Sequence, residues 1–200
     1  MSFRHILIAA ALAAAAPLVA GCVEAAVGAG AVATTAAFEE RGLRGAASDT
    51  AVRARINALW LDHSEEMLRK VDLSISEGRV LLTGLVPTQQ MRLDAVRLAW
   101  QAEGVKEVIN EIQVNNSAGL GTYARDSWIT AQLVGKLTID KRVESINYSV
   151  ETVDGVVYLM GIAQNQAELD RVQNHARHLN YVRKVVSYVR LKDDPRRSKS

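Results

Sequence analysis

The sequence predicts an α+β fold in which one α-β-β-α-β unit occurs twice in tandem. Four pairs of identical residues lie at a constant offset of 77 positions: Asp49 and Asp126, Gly78 and Gly155, Gly84 and Gly161, and Val105 and Val182. A constant offset without gaps is typical of an internal repeat. In each copy the apolar residues recur first at helical spacing, then alternate as in a strand, and then return to helical spacing. We therefore expect each unit to be a three-stranded mixed sheet packed on two helices.

The composition is that of a globular chain. Of 200 residues, 48% are hydrophobic and 23% are charged, and the formal net charge is +2. So small a net charge gives no indication of a nucleic-acid partner, and none is expected. Cys22 is the single cysteine, so a disulfide cannot form within the chain.

Residues 1–21 are predicted to be a secretory signal peptide. Arg4 precedes a short apolar run at residues 6–16, and Val19-Ala-Gly-Cys22 follows. These four residues resemble a bacterial lipobox, in which the cysteine is acylated with fatty acids such as palmitate. Leu is commoner than Val at the first position, and a plain signal with an incidental cysteine is the alternative.

Lipidation at Cys22 would make residues 22–46 a membrane tether. One acyl chain binds a membrane marginally, whereas two or more anchor a protein stably. Val23 follows the cysteine. By resemblance to the enterobacterial sorting rule, the absence of Asp at that position favours export to the outer membrane.

The first unit is predicted to span residues 47–115. Its apolar pattern indicates a helix, a two-stranded hairpin, a second helix and a closing strand. The residues expected in these elements are, in that order, Val52, Ile56 and Trp60; Val71, Leu73 and Ile75; Ala95, Leu98 and Ala99; and the strand at residues 105–114.

A linker at residues 116–123 leads to a second unit at residues 124–192. Asp126 is expected to cap the first helix of this unit, and Asp154-Gly155 to form its hairpin turn. The corresponding apolar residues are Ile129, Leu133 and Leu137; Ile146, Tyr148 and Val150; Leu169, Val172 and Ala176; and the strand at residues 182–191. The basic tail at residues 193–200 is most simply solvated, with weak attraction to anionic surfaces as the alternative.

Two motifs resemble those of BON domains. One is the Gly-x-Val-x-Leu-x-Gly pattern at residues 78–84 and 155–161, and the other is the closing strand Gly-Val-x-x-Val-x-Asn at residues 104–110. A lipobox followed by two such units resembles the dual BON-domain outer-membrane lipoproteins, and residues 119–130 are the most specific part of the likeness. The second unit departs from the pattern at Asn180-Tyr181, where Gly is expected before Val182, and at Ser187 in place of Asn.

This resemblance implies a non-enzymatic protein that faces the periplasm, binds anionic phospholipid and supports envelope integrity. In that family the first helix of the second BON domain makes the contact, and a tryptophan enters the lipid. The matching positions here are Asp126, Trp128, Ile129 and Thr130.

The repeat gives an independent reason to single out Trp128. This residue corresponds to Ala51 in the first unit, so the fold can be built without the ring. Trp128 also lies roughly 140° around the helix from the apolar stripe. The residues proposed to bind phospholipid are Trp128, Ala131, Gln132, Gly135 and Lys136. The alternatives are that Trp128 packs against the first unit or the tether, or that it contacts an envelope protein.

The other tryptophans and the histidines are interpreted more simply. Trp60 shares the core face of its helix, whereas Trp100 belongs to a side stripe with Leu93 and Val96 that could meet the other unit. His175 and His178 could share a ligand, but nothing at metal-motif spacing accompanies them, and a solvated face is expected. No nucleophile elbow, HExxH or phosphate loop occurs, so we expect no catalytic residue, metal or cofactor.

Overall fold

The computed structural model describes residues 39–115 and 120–197, which belong to one compact unit. The signal peptide, Cys22, most of the tether, residues 116–119 of the linker and residues 198–200 of the tail lie outside the described residues. Predictions about those segments therefore remain predictions.

The first domain has the predicted order of elements and one additional short helix. Its elements are α1 (Gly42–His63), α2 (Glu65–Lys70), β1 (Val71–Ser76), β2 (Arg79–Val86), α3 (Gln89–Gln101), β3 (Glu107–Asn110) and β4 (Gln113–Val114). The additional helix α2 begins after Ser64, whose side chain accepts a hydrogen bond from the amide of Met67.

The second domain repeats this plan with a 3-10 turn in place of α2. Its elements are α4 (Leu120–Ile139), the turn Ser145–Asn147, β5 (Tyr148–Val153), β6 (Val156–Ala163), α5 (Gln166–Arg177), β7 (Lys184–Ser187) and β8 (Arg190–Leu191). Both α1 and α4 begin earlier than the sequence pattern suggested.

Each domain contains a mixed sheet, as predicted. β1 pairs with β2 antiparallel and β2 pairs with β3 parallel, and the second domain repeats this pairing with β5, β6 and β7. The repeated glycine in β6 is required by a close approach of the backbone. A Cβ at Gly161, whose φ is +138°, would lie 1.9 Å from the carbonyl oxygen of Asn147.

The closing strand is interrupted in both domains, where a continuous strand had been expected. In the first domain Asn110 ends β3, and its side-chain oxygen accepts a hydrogen bond from the amide of Ile112 at 3.1 Å. This local turn separates β3 from β4, which continues along β2 in the same parallel direction.

The predicted apolar stripes form two separate cores between the helices and their sheets. In α1 the residues Val52, Ile56 and Trp60 are fully buried, and in α4 the residues Ile129, Leu133 and Leu137 are likewise buried. The indole nitrogen of Trp60 donates a hydrogen bond to the carbonyl of Ala95 in α3 at 3.2 Å.

The two domains pack through the sheet faces that point away from their helices. Leu81 of the first domain lies in a third apolar cluster with Val153, Tyr158 and Met160 of the second. Alternate residues of β2 and β6 therefore face the helices and the partner sheet. The side stripe of α3 does not form this interface, because Trp100 and Leu93 are each 52% exposed.

Two hydrogen bonds across this interface join equivalent positions of the repeat. Ser74 donates a hydrogen bond to Glu151, and the Tyr188 hydroxyl donates one to Glu111, and each pair is 77 positions apart. Equivalent residues meet when two copies are related by an approximate two-fold axis. The two domains are thus arranged like the subunits of a symmetric dimer joined in one chain.

Candidate functional site

The position of α4 is fixed by Asp126, which does not cap the helix as predicted. The helix begins at Leu120, and Asp126 is a buried residue inside it. Its carboxylate accepts hydrogen bonds from the amides of Asp154 at 2.7 Å and Gly155 at 2.9 Å. Asp126 therefore joins the helix to the turn between β5 and β6, and sets which face of α4 points away from the sheet.

All five residues predicted to bind phospholipid lie on the exposed side of α4. The buried residues Ile129, Leu133 and Leu137 face the sheet, whereas Trp128, Ala131, Gln132, Gly135 and Lys136 are exposed. Three further apolar side chains on this helix are exposed: Tyr123, Val134 and Ile139. The outer face of α4 is thus more apolar than a helix in water requires.

The charged groups on this outer face have one sign. The charged residues of α4 are Arg125, Asp126 and Lys136. Asp126 is buried, whereas both cations are exposed. An anionic surface facing α4 would therefore meet positive charge from this helix.

Trp128 is partly covered by a residue of its own domain. Its side chain is 42% exposed, and its ring meets the ring of Tyr181 edge to face, with centroids 6.1 Å apart and planes at 72°. This arrangement is a favourable one for two aromatic rings. The ring contact is therefore made with the turn after α5 rather than with the first domain.

Tyr181 belongs to the same surface, although sequence reasoning did not connect it with Trp128. It has a φ of +68° and occupies the position of Gly104, which has a φ of +95°. The guanidinium carbon of Arg125 lies 5.4 Å from the centroid of the Tyr181 ring, within cation–π distance. The departure from glycine at Asn180-Tyr181 was the signal that could have identified this residue.

His175 in α5 and His178 directly after this helix bind different partners and do not share a ligand. Nε2 of His175 lies 2.8 Å from Oδ2 of Asp140, whereas Nδ1 of His178 lies 2.8 Å from the carbonyl oxygen of Asn174. The contact with His175 and the hydrogen bond from the amide of Arg142 lower the pKa of Asp140 to about 2. Among the described residues, no group of three or more His, Cys, Asp or Glu side chains could hold a metal ion.

In residues 39–115 and 120–197, none of the helices combines the length and hydropathy needed to cross a bilayer. The outer face of α4 carries both apolar and charged side chains, and the opposite side of the helix packs on the sheet.

Comparison with known proteins gives consistent matches over both domains. The family described as "BON domain" matches residues 48–116 and 125–193. The chain is 45% identical over 145 residues to an uncharacterized protein in the gshII 5' region of Anaplasma centrale, covering 72% of this chain and 95% of that protein. It is 33% identical to the outer membrane lipoprotein DolP of Haemophilus influenzae, covering 86% of this chain and 90% of the relative. It is also 32% identical to the osmotically-inducible protein Y of Escherichia coli, covering 72% and 73%.

Proposed function

The chain belongs to the BON-domain family, and from this premise we propose that it is a non-enzymatic outer-membrane lipoprotein that binds anionic phospholipid. Lipidated Cys22 anchors the chain, the two BON domains face the periplasm, and the outer face of α4 contacts the membrane. Through this contact the protein supports the integrity of the envelope.

Two observations support the location. Val19-Ala-Gly-Cys22 has the pattern of a lipobox. A relative that matches 86% of the chain is named an outer membrane lipoprotein. An anchor at the N-terminus keeps both domains close to the membrane surface, which raises the effective concentration of a weak second contact.

The observation that carries the proposed lipid contact is the combination of a half-exposed indole with cations on one helix face. Trp128 is 42% exposed and lies on the same side of α4 as Lys136. Tryptophan favours the interface between membrane and water because its ring is apolar and its N–H still finds a hydrogen-bond partner. Each cation near an anionic membrane surface contributes about 1 kcal/mol.

The first domain provides the structural comparison for this site. Position 51 in α1, which is equivalent to Trp128, is alanine, and that domain forms the same sheet and core. The indole is therefore dispensable for folding of a BON domain. Its half-exposed position on the same helix face as Lys136 leaves the ring available for contact with something outside the fold.

The test uses residues 22–200 with Cys22→Ser, so that acyl chains do not contribute to binding. We expect Trp128→Glu to reduce binding to phosphatidylglycerol vesicles at least about tenfold, since it places a negative charge at the contact. Circular dichroism and the thermal midpoint should not change. Trp100→Glu is the matched control, because Trp100 is 52% exposed on the first domain. It should bind like the parent.

Undiminished vesicle binding by Trp128→Glu would overturn the proposal. If the same variant also lost a crosslink to an envelope protein, the result would favour an adaptor that uses α4 to bind a protein partner.

A further inference from the structure

Tyr181 has a backbone conformation that disfavours a tyrosine. Its φ of +68° lies in the left-handed region, which side chains with a Cβ rarely adopt. The first domain has Gly104 at the equivalent position, and a Cβ there would lie 2.8 Å from Cγ2 of Val52. The fold thus favours glycine at this turn, and the second domain retains a tyrosine at a cost in conformational free energy.

The strained side chain is not used to fill the core. Tyr181 is 65% exposed, and its ring contacts both the Trp128 ring and the Arg125 guanidinium. The equivalent residues of the first domain are Ser48, Ala51 and Gly104. The second domain therefore differs from the first by an added cation and two added rings at one place on its surface.

The chemistry of this group suits one kind of ligand. Within the described part of the chain, Arg125 forms no salt bridge with a carboxylate, and its side chain is exposed beside the Tyr181 ring. A guanidinium can bind phosphate oxygens through two parallel N–H donors, and it also stacks on aromatic faces. A Tyr–Trp pair places apolar rings at the depth of lipid headgroups while its O–H and N–H groups remain hydrogen-bonded.

We propose that Arg125, Trp128 and Tyr181 form a headgroup site, in which Arg125 binds the phosphate of an anionic phospholipid and the two rings enter the interface around it. This inference rests on the proposed lipid contact of α4 and adds to it the residues that recognise the headgroup. The Tyr181 ring contacts both Trp128 and Arg125, so it couples the membrane-entering ring to the phosphate-binding cation.

The test replaces residues of this site by the residues at the equivalent positions of the first domain. Tyr181→Gly should weaken binding to phosphatidylglycerol vesicles, and it should raise the thermal midpoint or leave it unchanged because it removes the left-handed strain. If Tyr181 had only a structural role, its replacement would lower stability and binding together.

Arg125→Ser should weaken binding about fivefold, the effect expected for loss of one cation at an anionic surface. Arg125→Lys keeps the positive charge but lacks the planar guanidinium, so it should bind the vesicles more tightly than Arg125→Ser and less tightly than the parent.

The control is Trp100→Ala, which removes an exposed aromatic ring from the first domain, outside the proposed site. It should bind the vesicles like the parent. Sodium phosphate at constant ionic strength should not release the protein from the vesicles more than chloride does, because the site requires the membrane around the phosphate. Specific release by phosphate would show that the site binds free phosphate, and would overturn the proposal that it binds a lipid headgroup.

The outcomes separate this inference from the proposed function. If Trp128→Glu binds vesicles normally, the proposed function fails, and this inference fails with it. If Trp128→Glu abolishes binding while Tyr181→Gly and Arg125→Ser bind like the parent, the headgroup site alone is overturned.

Discussion

Asp126 in α4 accepts a hydrogen bond of 2.9 Å from the amide of Gly155, at the turn between β5 and β6. Asp49 in α1 makes the same contact with the amide of Gly78, also at 2.9 Å. The residues joined in each domain are therefore two of the pairs that define the sequence repeat. This contact explains why an aspartate and a glycine recur together, since the carboxylate binds the backbone of a turn that needs φ > 0.

Replacing the turn-binding aspartate should destabilise the second domain. Asp126→Asn replaces one carboxylate oxygen by an NH₂ group, which cannot accept the hydrogen bond from one of the two turn amides. We expect the free energy of unfolding to fall by about 1–3 kcal/mol, and Asp126→Ala to lower it further. Urea unfolding followed by circular dichroism measures both losses.

Asp170→Asn is the control for this prediction, because Asp170 accepts a side-chain hydrogen bond from Gln166 on an exposed face. It should change stability by less than about 0.5 kcal/mol. Equal stability of Asp126→Asn and the parent would show that the turn amides do not depend on this carboxylate.

Features that depend on local sequence patterns could be predicted, whereas features that depend on tertiary packing could not. The apolar stripes of the helices and the mixed sheets were predicted correctly, because periodicity reports which side of an element faces the core. Ile146 was wrongly assigned to a strand with Tyr148 and Val150, since it lies in the 3-10 turn and is 43% exposed. Asp126 was misassigned as a cap because caps and turn-binding side chains use the same residue type. The partnership of Trp128 with Tyr181 depends on how a turn folds back toward α4, which spacing along the chain does not encode.

An apolar run in the sequence indicates the packing between the domains. Val80, Leu81 and Leu82 are three consecutive apolar residues in β2, and all are buried. A strand with one solvated face alternates between apolar and polar residues, whereas a continuous apolar run indicates burial on both faces. This run therefore predicts that the second face of the sheet is covered, although it does not identify what covers it.

The glycine in β6 should not tolerate a side chain. In Gly161→Ala the Cβ would lie 1.9 Å from the carbonyl oxygen of Asn147, and its φ of +138° disfavours any residue but glycine. We expect a loss of about 2–4 kcal/mol in the free energy of unfolding, measured by urea titration.

Gly135→Ala is the matched control, because nothing lies within 4 Å of a Cβ at this position in α4. Alanine has the higher helix propensity, so this variant should be more stable by up to about 1 kcal/mol. Similar losses in both variants would contradict the role assigned to the close backbone approach.

The sheet interface should make the two domains unfold together. Leu81 is buried in the cluster that includes Tyr158 and Met160 of the other domain. We expect one calorimetric transition for the parent and two for Leu81→Asp, because a buried, unpaired charge would separate the sheets. Leu61→Asp is the control, since Leu61 is exposed on α1. A single, unbroken transition in Leu81→Asp would show that the domains do not depend on this cluster for their coupling.

Glu151 should make stability depend on pH. It lies in β5 at the domain interface, where Ser74 donates a hydrogen bond to its carboxylate at 3.4 Å. Burial, with a smaller contribution from the charge of Asp72, raises its pKa from 4.5 to about 7, while Ser74 and Arg53 oppose that rise.

The sign of the effect follows from linkage. The folded-state pKa of Glu151 lies above the unfolded value, so the folded protein binds more protons between pH 4.5 and about 7. The destabilisation by this group is therefore absent below pH 4.5, grows as the pH rises, and is complete above about 7. Glu151→Gln should remove this fall, so the variant should be more stable than the parent at neutral pH and equal to it near pH 4.5.

Urea midpoints measured across this pH range test the prediction, and Asp72→Asn provides a second check. Loss of the Asp72 charge should lower the folded-state pKa of Glu151, since less repulsion then opposes ionisation. The fall in stability should therefore be smaller and complete at a lower pH. Parallel stability profiles for the parent and Glu151→Gln would mean that Glu151 ionises normally in the folded protein. Such a result would also imply that water reaches the contact between Ser74 and Glu151, and that the two sheets pack less closely at this edge than in their shared apolar cluster.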